Sequence, residues 1–587
     1  MRKTLEALAV AAVLSVLGYF YLAPNSGMAL SGDTSHLLSE GGDASGVPFQ
    51  YHAILNAARH HPSHLLFGTV YTDQVNAPEG IGLWIPWFER LNVLALSPFL
   101  SLEGLATGTV WTSMILNGLL IFLLGRRRGW PFPIGLALGI CFAFNPYTRA
   151  RSISHLAMVG LFYLPAAFLA LDLLRTVRRK REWFAGSTLL LLAVSGAQYY
   201  VMVLVALAPF LLGYFLRGQA DKPRALGRLT LAALPAVLFL AWNLLAPLPF
   251  DLDHRPSVQQ TSLSPEWLDI YGARAIDYFT GDVAFGNLDW NPLRAALTQS
   301  VRLAGFNGSN NLERSNGIRW SLLLIFGVAV GALLVPSARK RLDPACRSDV
   351  FYFSVLAVAA FFLSLRPEVF GGYGPALWVQ KILPHFRVPS RFGPVVHFAV
   401  LGVAGATLTR IWALKTDRNT RIAFGVFLPL ALFLEFPPLH PTWADSAPAA
   451  RTELILASTG TCGTGMYFPY LAVKPGTVEE FEFYKAFQTL KRTPCRMIGM
   501  FSDGPLNQRL HATLGTETFA ASSVRGAQRE VEFLRCSGSE WVVFRPLVPA
   551  ELRARMCQEL GWTMTATDSC RNPQGSKAAK VEILGCI

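Results

Sequence analysis

Eleven apolar segments recur between residues 5 and 436, and this repetition constrains the fold more than any other feature. Basic clusters such as Arg126-Arg127-Arg128 and Arg339-Lys340-Arg341 follow every second segment. Apolar stretches long enough to cross a bilayer, joined by alternating basic loops, are typical of polytopic membrane proteins. The composition agrees, since 52% of the residues are hydrophobic and only 15% are charged. We therefore predict a mainly α-helical transmembrane bundle.

The basic clusters fix the predicted topology, because loops rich in Lys and Arg stay in the cytoplasm. The first segment follows Met1-Arg2-Lys3 and fits either a signal peptide or an uncleaved anchor, and the later spans favour the anchor. We expect a cytoplasmic N-terminus and an extracytoplasmic C-terminal region. The segments are residues 5–22, 94 or 105–124, 132–144, 156–174, 184–194, 201–216, 229–245, 320–335, 350–363, 394–408 and 422–436.

Two domains are expected. The membrane domain covers residues 1–436, with long outer loops at about 23–90, 247–319 and 364–393, and a soluble domain covers residues 437–587. The net charge of +14 resides in the short loops between spans, which is the membrane pattern, so we expect no nucleic-acid partner. Aromatic residues and helical periodicity in the first outer loop predict helices lying along the bilayer surface.

The soluble region alternates strand-like and helix-like runs, which predicts a small α/β or α+β domain. Strands are expected at 453–456 and 541–544, and helices at 478–490 and 549–560. Six of the eight cysteines fall in this region, which is typical of an oxidising compartment and of up to three disulfides. They are Cys462, Cys495, Cys536, Cys557, Cys570 and Cys586.

Asp33, in the stretch Gly32-Asp33-Thr34-Ser35-His36, is the candidate catalytic residue. It follows the first apolar segment closely, so its depth relative to the membrane is fixed, and a carboxylate near an apolar boundary gains basicity. Such a carboxylate could act as a general base on a lipid-linked substrate, with His36 beside it. The other outer carboxylates close to the membrane are Glu40, Asp43, Asp73, Glu79, Glu89, Asp251 and Asp253, and any of the eight acids could be simply solvated.

Arginines on the predicted outer side are candidate phosphate ligands, because guanidinium groups match phosphate oxygens in pairs. The alternatives are ion pairing with outer acids or extension toward lipid headgroups. A proline between Arg387 and Arg391 restricts the backbone, which favours a binding role for that pair. The candidate substrate or phosphate ligands are His36, Arg149, Arg151, His155, Arg255, Arg387 and Arg391.

No obligatory cofactor is predicted. The histidines at 60, 61 and 64 carry metal-binding atoms, but their spacing matches no recognised ligand pattern, so a divalent metal is conceivable without being indicated. The soluble region shows no CxxC pair for a zinc site. We therefore name no metal ligands.

Several motifs resemble the GT-C superfamily of polyprenol-phosphate-sugar-dependent glycosyltransferases, in particular its bacterial multispan members. They lie in the membrane part, roughly residues 1–436, and the last of those named below is the most specific. The motifs are Gly32-Asp33 after the first span, Pro78-Glu79-Gly80 in the first loop, Phe144-Asn145-Pro146-Tyr147 with His155, and Arg387-Val388-Pro389-Ser390-Arg391-Phe392.

The resemblance implies a sugar transfer from a polyprenyl-phosphate carrier to a cell-envelope glycan or glycolipid, with inverting displacement. Asp33 would deprotonate the acceptor hydroxyl, while Arg387, Arg391 and Arg149 would hold the leaving phosphate. Asp33 is followed by Thr34 and Ser35 instead of the second acid present in some members. The alternatives are a flippase or transporter of lipid-linked glycans and a non-catalytic accessory protein. A transporter would place ionisable residues along its spans, which here are nearly free of them.

Overall fold

The computed structural model describes most of the membrane part and a portion of the C-terminal region. The described residues are 2–30, 36–37, 47–60, 62, 65, 69–70, 81–82, 86–100, 102–152, 155–177, 179–245, 266–281, 291–303, 313–383, 386, 388–414, 417–435, 444–445, 464–468, 496–497, 524–536, 539–544, 549–566 and 569–573.

The described residues of the membrane part are mainly α-helical. Its first helices are α1 (Arg2–Leu30), α2 (Val47–His60), α3 (Trp87–Leu96), α4 (Leu102–Arg127), α5 (Phe132–Ala143), α6 (Pro146–Arg151), α7 (Tyr163–Arg175), α8 (Lys180–Val194), α9 (Gln198–Ala206) and α10 (Ala208–Leu216). The chain continues with α11 (Lys222–Leu245), α12 (Glu266–Ile270), α13 (Pro292–Leu303), α14 (Trp320–Leu334), α15 (Pro336–Arg339), α16 (Pro344–Ser364), α17 (Pro375–Ile382), α18 (Gly393–Leu414) and α19 (Arg418–Glu435).

Each of the eleven predicted segments contains a helix. Six helical stretches among the described residues are long and apolar enough to cross a membrane, and a seventh results if Lys180–Val194 and Tyr199–Ala206, bent by 119°, form one span. Trp320–Leu334 is a shorter apolar helix. The segment predicted as one span at 201–216 is divided between α9 and α10. The protein is thus a multi-pass membrane protein, while the count of eleven spans stays a prediction.

Helix α18 lies at the centre of the bundle, and its residues are buried from Gly393 to Ala406. Helices α14 and α16 pack against it, while α4 packs against α1 and α5. The crossing of α4 and α5 is close, since a Cβ on Gly139 would lie 2.7 Å from the carbonyl oxygen of Gly118. Glycine at this position therefore allows backbone contact that a larger residue would prevent.

The first outer loop contains α2, as its periodicity predicts. Tyr51, Ile54 and Ala57 are buried on one face of α2, which packs against α3 and α4. The apolar face of this helix is therefore covered by protein. Short antiparallel strands also pair here: β1 (His36–Leu37) pairs with β4 (Ala444–Asp445) of the C-terminal region, and β2 (Thr69–Val70) pairs with β3 (Ile81–Gly82).

The C-terminal region contains β5 (Thr464–Phe468), β6 (Arg496–Met497), β7 (Trp541–Phe544), β8 (Thr563–Ala566) and β9 (Ser569–Arg571), with helices α20 (Val524–Cys536) and α21 (Ala550–Leu560). These five strands form a mixed sheet with the order β6-β5-β7-β9-β8. The strand expected at 541–544 and the helix expected at 549–560 are confirmed, whereas 453–456 and 478–490 lie outside the described residues. Cys557 and Cys570 form a disulfide, and Cys536 is also disulfide-bonded.

Candidate functional site

Arg149 and Arg151 lie on the short helix α6. Its start is determined by the sequence, because the Asn145 side chain accepts a hydrogen bond from the Thr148 backbone N–H at 2.9 Å and Pro146 occupies the first turn. Residues two apart on a helix point in different directions, so the two arginines have different surroundings. Both are buried, Arg151 completely.

Arg391 lies in the 3-10 turn Pro389–Phe392, directly before α18. The Ser390 backbone N–H donates to the carbonyl of Tyr271 at 3.2 Å, and the rings of Phe386 and Phe392 pack 5.5 Å apart. Buried rings and a proline on this turn hold the guanidinium in one place. Its Cζ atom lies 3.7 Å from the centre of the Tyr199 ring, a cation–π contact.

Glu313 joins the two motifs. Its carboxylate accepts from the Arg151 guanidinium, from Arg391 Nη2 at 3.3 Å and from the Ser390 hydroxyl at 3.1 Å. His155 also belongs to this group, since its Nδ1 lies 3.2 Å from Arg151 Nη1. We call this buried group of Arg151, His155, Glu313, Ser390 and Arg391 the arginine–glutamate centre.

The centre has excess positive charge, with two guanidinium groups against one carboxylate. Burial by itself raises the pKa of Glu313, but Arg151 and Arg391 outweigh this effect and lower the pKa to about 2. Burial lowers the pKa of Arg151, and the Glu313 carboxylate more than offsets it, so the pKa of Arg151 is raised. All three groups are therefore charged at neutral pH.

Some donor atoms of the centre have no hydrogen-bond partner among the described residues. They are Nε and Nη1 of Arg391 and Nε of Arg151, all buried. Buried N–H groups in folded proteins are nearly always hydrogen-bonded, so such donors are available to an acceptor. With the net positive charge, they suit a phosphate oxygen.

The structure brings together three of the sequence-predicted ligands, Arg151, His155 and Arg391. Arg149 faces elsewhere and lies within electrostatic reach of Arg319, whose guanidinium donates to the carbonyls of Leu432 and Cys141. Asp33, Arg255 and Arg387, like the histidines at 61 and 64, lie outside the described residues. The backbone of His36 belongs to β1 and pairs with Asp445, so the first outer loop joins the chain that follows the last membrane helix.

Glu89 is one of the predicted outer carboxylates and lies on α3. It is fully buried and accepts a hydrogen bond from the Tyr51 hydroxyl on α2. Burial raises the pKa of Glu89 to about 7, although Tyr51 and Arg90 lower it in part. This carboxyl group therefore titrates near neutral pH, unlike Glu313.

Sequence reasoning missed Glu313, which lies among polar residues in Glu313-Arg314-Ser315-Asn316 and resembles a solvated loop segment. The neighbouring Arg314 also lies in this polar stretch, yet it is buried and forms an ion pair with Asp277 at 2.9 Å. The available signal was the arginines themselves: Arg151 and Arg391 each lie next to an apolar span, and a buried arginine needs a counterion.

The chain is similar to solved structures of membrane transferases. No family model and no curated protein matches the chain. The arabinofuranosyltransferase AftD from Mycobacteria is similar in structure, with a TM-score of 0.51 and 16% identity over 93% of this chain and 37% of that one. An oligosaccharyltransferase from Archaeoglobus fulgidus has a TM-score of 0.48 and 14% identity over 92% of this chain and 69% of that one.

The similarity to AftD concerns the fold, because the sequence identity is low. The chain spans little more than a third of the length of AftD. The predicted GT-C fold is confirmed, and this chain is a multi-pass membrane protein with that architecture.

Proposed function

We propose that this protein is a membrane glycosyltransferase that moves a sugar from a polyprenyl-phosphate carrier to a glycan or lipid acceptor of the cell envelope. The reaction takes place on the outer face of a bacterial inner membrane, where the long loops and the disulfide-containing region lie. The C-terminal region binds or presents the acceptor. The GT-C fold supports this class of activity, because AftD is a glycosyltransferase by name.

The reaction is a single displacement at the anomeric carbon. Asp33 accepts the proton of the acceptor hydroxyl, whose oxygen forms the new glycosidic bond. The bond between the anomeric carbon and the phosphate oxygen breaks, and its electron pair leaves with the polyprenyl phosphate. Attack opposite the leaving group inverts the anomeric configuration. Arg151 and Arg391, aided by Arg387, stabilise the negative charge that develops on the phosphate.

The observation that carries the proposal concerns buried N–H groups of Arg151 and Arg391. They have no hydrogen-bond partner in the described part of the chain and lie in a centre with net positive charge. Glu313 accepts from one side of this pair and leaves the remaining donors to the phosphate. The pairing of β1 with β4 supports the role of the first loop, because it joins the chain three residues after Asp33 to the start of the C-terminal region.

The test is the glycan and lipid-linked sugar profile of cells that carry Asp33→Asn at normal protein level, beside wild type and a deletion. Asp43→Asn, in the same loop, is the matched control. We expect Asp33→Asn to reproduce the deletion, with unconsumed lipid-phosphate sugar accumulating, and Asp43→Asn to resemble wild type. A wild-type profile for Asp33→Asn would refute its role as the base.

A non-catalytic accessory protein for lipid-linked glycans is the second candidate. One observation favours it: both guanidinium groups of the centre already have a carboxylate counterion, as a purely structural cluster would. Arg391→Lys distinguishes the two, because it keeps the charge next to Glu313 and removes the planar fork. The transferase proposal predicts weaker donor use at nearly unchanged stability, whereas the accessory role predicts a normal glycan profile.

A further inference from the structure

A second site lies in a groove between α14 and α16, and none of the residues of the arginine–glutamate centre lines it. The groove has a volume of about 1020 Å³. Its apolar walls follow one face of each helix, since the lining positions recur every three or four residues. The apolar lining residues include Phe326, Val330 and Leu333 from α14 and Phe351, Val355 and Val358 from α16.

The groove has a charged end. Arg339, at the end of α15, and Arg347, in the first turn of α16, line it on either side of the basic loop that joins these two helices. Both are exposed, and neither side chain has an ion-pair or hydrogen-bond partner among the described residues. The nearby carboxylates are engaged elsewhere: Asp349 pairs with Arg128 and Arg217, and Asp343 caps α16. This end therefore offers an anion two cations that are unpaired within the described part of the chain.

The length of the groove matches one leaflet of a bilayer. From Arg347 to Val358 the helix rises about 16 Å, and one leaflet has a hydrocarbon core of about 15 Å. Ser354 also lines the groove, and its buried hydroxyl has no hydrogen-bond partner among the described residues. A helical serine usually donates to the carbonyl four residues back, so a free hydroxyl here can meet a polar group of a ligand.

We propose that this groove binds one acidic glycerophospholipid from the leaflet next to the basic loop, which is the predicted cytoplasmic leaflet. Arg339 and Arg347 hold the phosphate, the Ser354 hydroxyl donates to an ester carbonyl, and an acyl chain lies along the apolar walls. Charge complementarity selects an acidic headgroup, since a basic residue near an anionic bilayer surface strengthens binding about fivefold. The site does not depend on the proposed glycosyltransferase activity.

The test is native mass spectrometry of the full-length protein released from nanodiscs of equal parts phosphatidylglycerol and phosphatidylcholine. The measured quantity is the ratio of the two lipids that remain bound. We expect the double variant Arg339→Gln/Arg347→Gln to lower this ratio about 25-fold, fivefold for each arginine. Lys340→Gln/Arg341→Gln is the matched control, because it removes the same charge from exposed residues of the same loop that do not line the groove.

Val355→Trp tests the apolar part without changing charge. This residue is 42% exposed on the groove wall, so a larger side chain fills the groove without disturbing the core. We expect less retained phosphatidylglycerol in this variant. The proposal is overturned if both double variants lower the lipid ratio equally, if neither changes it, or if Val355→Trp retains as much phosphatidylglycerol as wild type.

Discussion

Removing the Glu313 carboxylate is the sharpest test of the arginine–glutamate centre. In Glu313→Ala the guanidinium groups of Arg151 and Arg391 stay buried together without their counterion. Breaking a buried ion pair in this way costs about 3 to 5 kcal/mol. The pKa of Glu313 gives a similar magnitude, because a fall from 4.5 to about 2 corresponds to about 3 kcal/mol.

The assay is the free energy of unfolding of the purified protein in detergent, measured by denaturant titration. Glu368→Ala is the control, because Glu368 also pairs with an arginine, Arg366, at 3.2 Å but is 69% exposed. An exposed pair contributes at most about 1 kcal/mol. We therefore expect Glu313→Ala to lose about 3 kcal/mol more than Glu368→Ala. Equal losses in the two variants would refute the assignment of Glu313 as a buried counterion.

The pH dependence follows the same reasoning. The pKa of Glu313 is lower in the folded state, so its stabilisation is present above the unfolded pKa of about 4.5 and is lost as the pH falls toward about 2.

A triple variant, Arg151→Met/Glu313→Leu/Arg391→Met, removes the whole cluster. Apolar replacement of a complete buried ion-pair group is often neutral or stabilising. We expect this variant to be folded and, if the centre binds phosphate, inactive.

Three further results are expected. Because the pKa of Glu89 is raised to about 7 in the folded state, the stabilisation from this group is lost as the pH rises from about 4.5 through 7. Wild type should therefore lose about 2 kcal/mol of unfolding free energy relative to Glu89→Gln between about pH 5 and 8, measured by urea titration. Parallel plots of unfolding free energy against pH for the two proteins would contradict this. Gly139→Val should cost about 1 to 3 kcal/mol by separating α4 from α5. Gly331→Val should cost less, because a Cβ on Gly331 would have no neighbour within 4 Å among the described residues; thermal unfolding compares the two variants. Cys557→Ser removes the disulfide to Cys570, 13 residues away, and should destabilise the C-terminal region by about 3 kcal/mol. The measurement is the rate of proteolysis in this region, which should rise; an unchanged rate would argue against a stabilising disulfide.

The sequence predicted the helices of the membrane part well, because the length of an apolar segment and the charge of a loop are local properties that determine insertion and orientation in a bilayer. Helix α2 shows what such a local pattern leaves open. Its periodicity was visible in the sequence, and the structure shows that Tyr51 and Ile54 on its apolar face pack against other helices. The expected position of this loop along the bilayer surface stays a prediction. An apolar helix face in the sequence predicts that the face is covered, but it does not predict whether lipid or protein covers it.

The sequence alone determined the membrane class, the order of the helices, the mixed C-terminal region and the arginine motifs that merit attention. Tertiary structure decided which charges meet. Arg151, Glu313 and Arg391 are far apart in the chain, and only the packing of α6 and the turn before α18 against the end of the second long loop brings them together. In the same way the fold separated Arg149 from Arg151, two residues away, because a helix turns successive side chains in different directions. Local patterns specify secondary structure, whereas a buried counterion is a property of the folded chain.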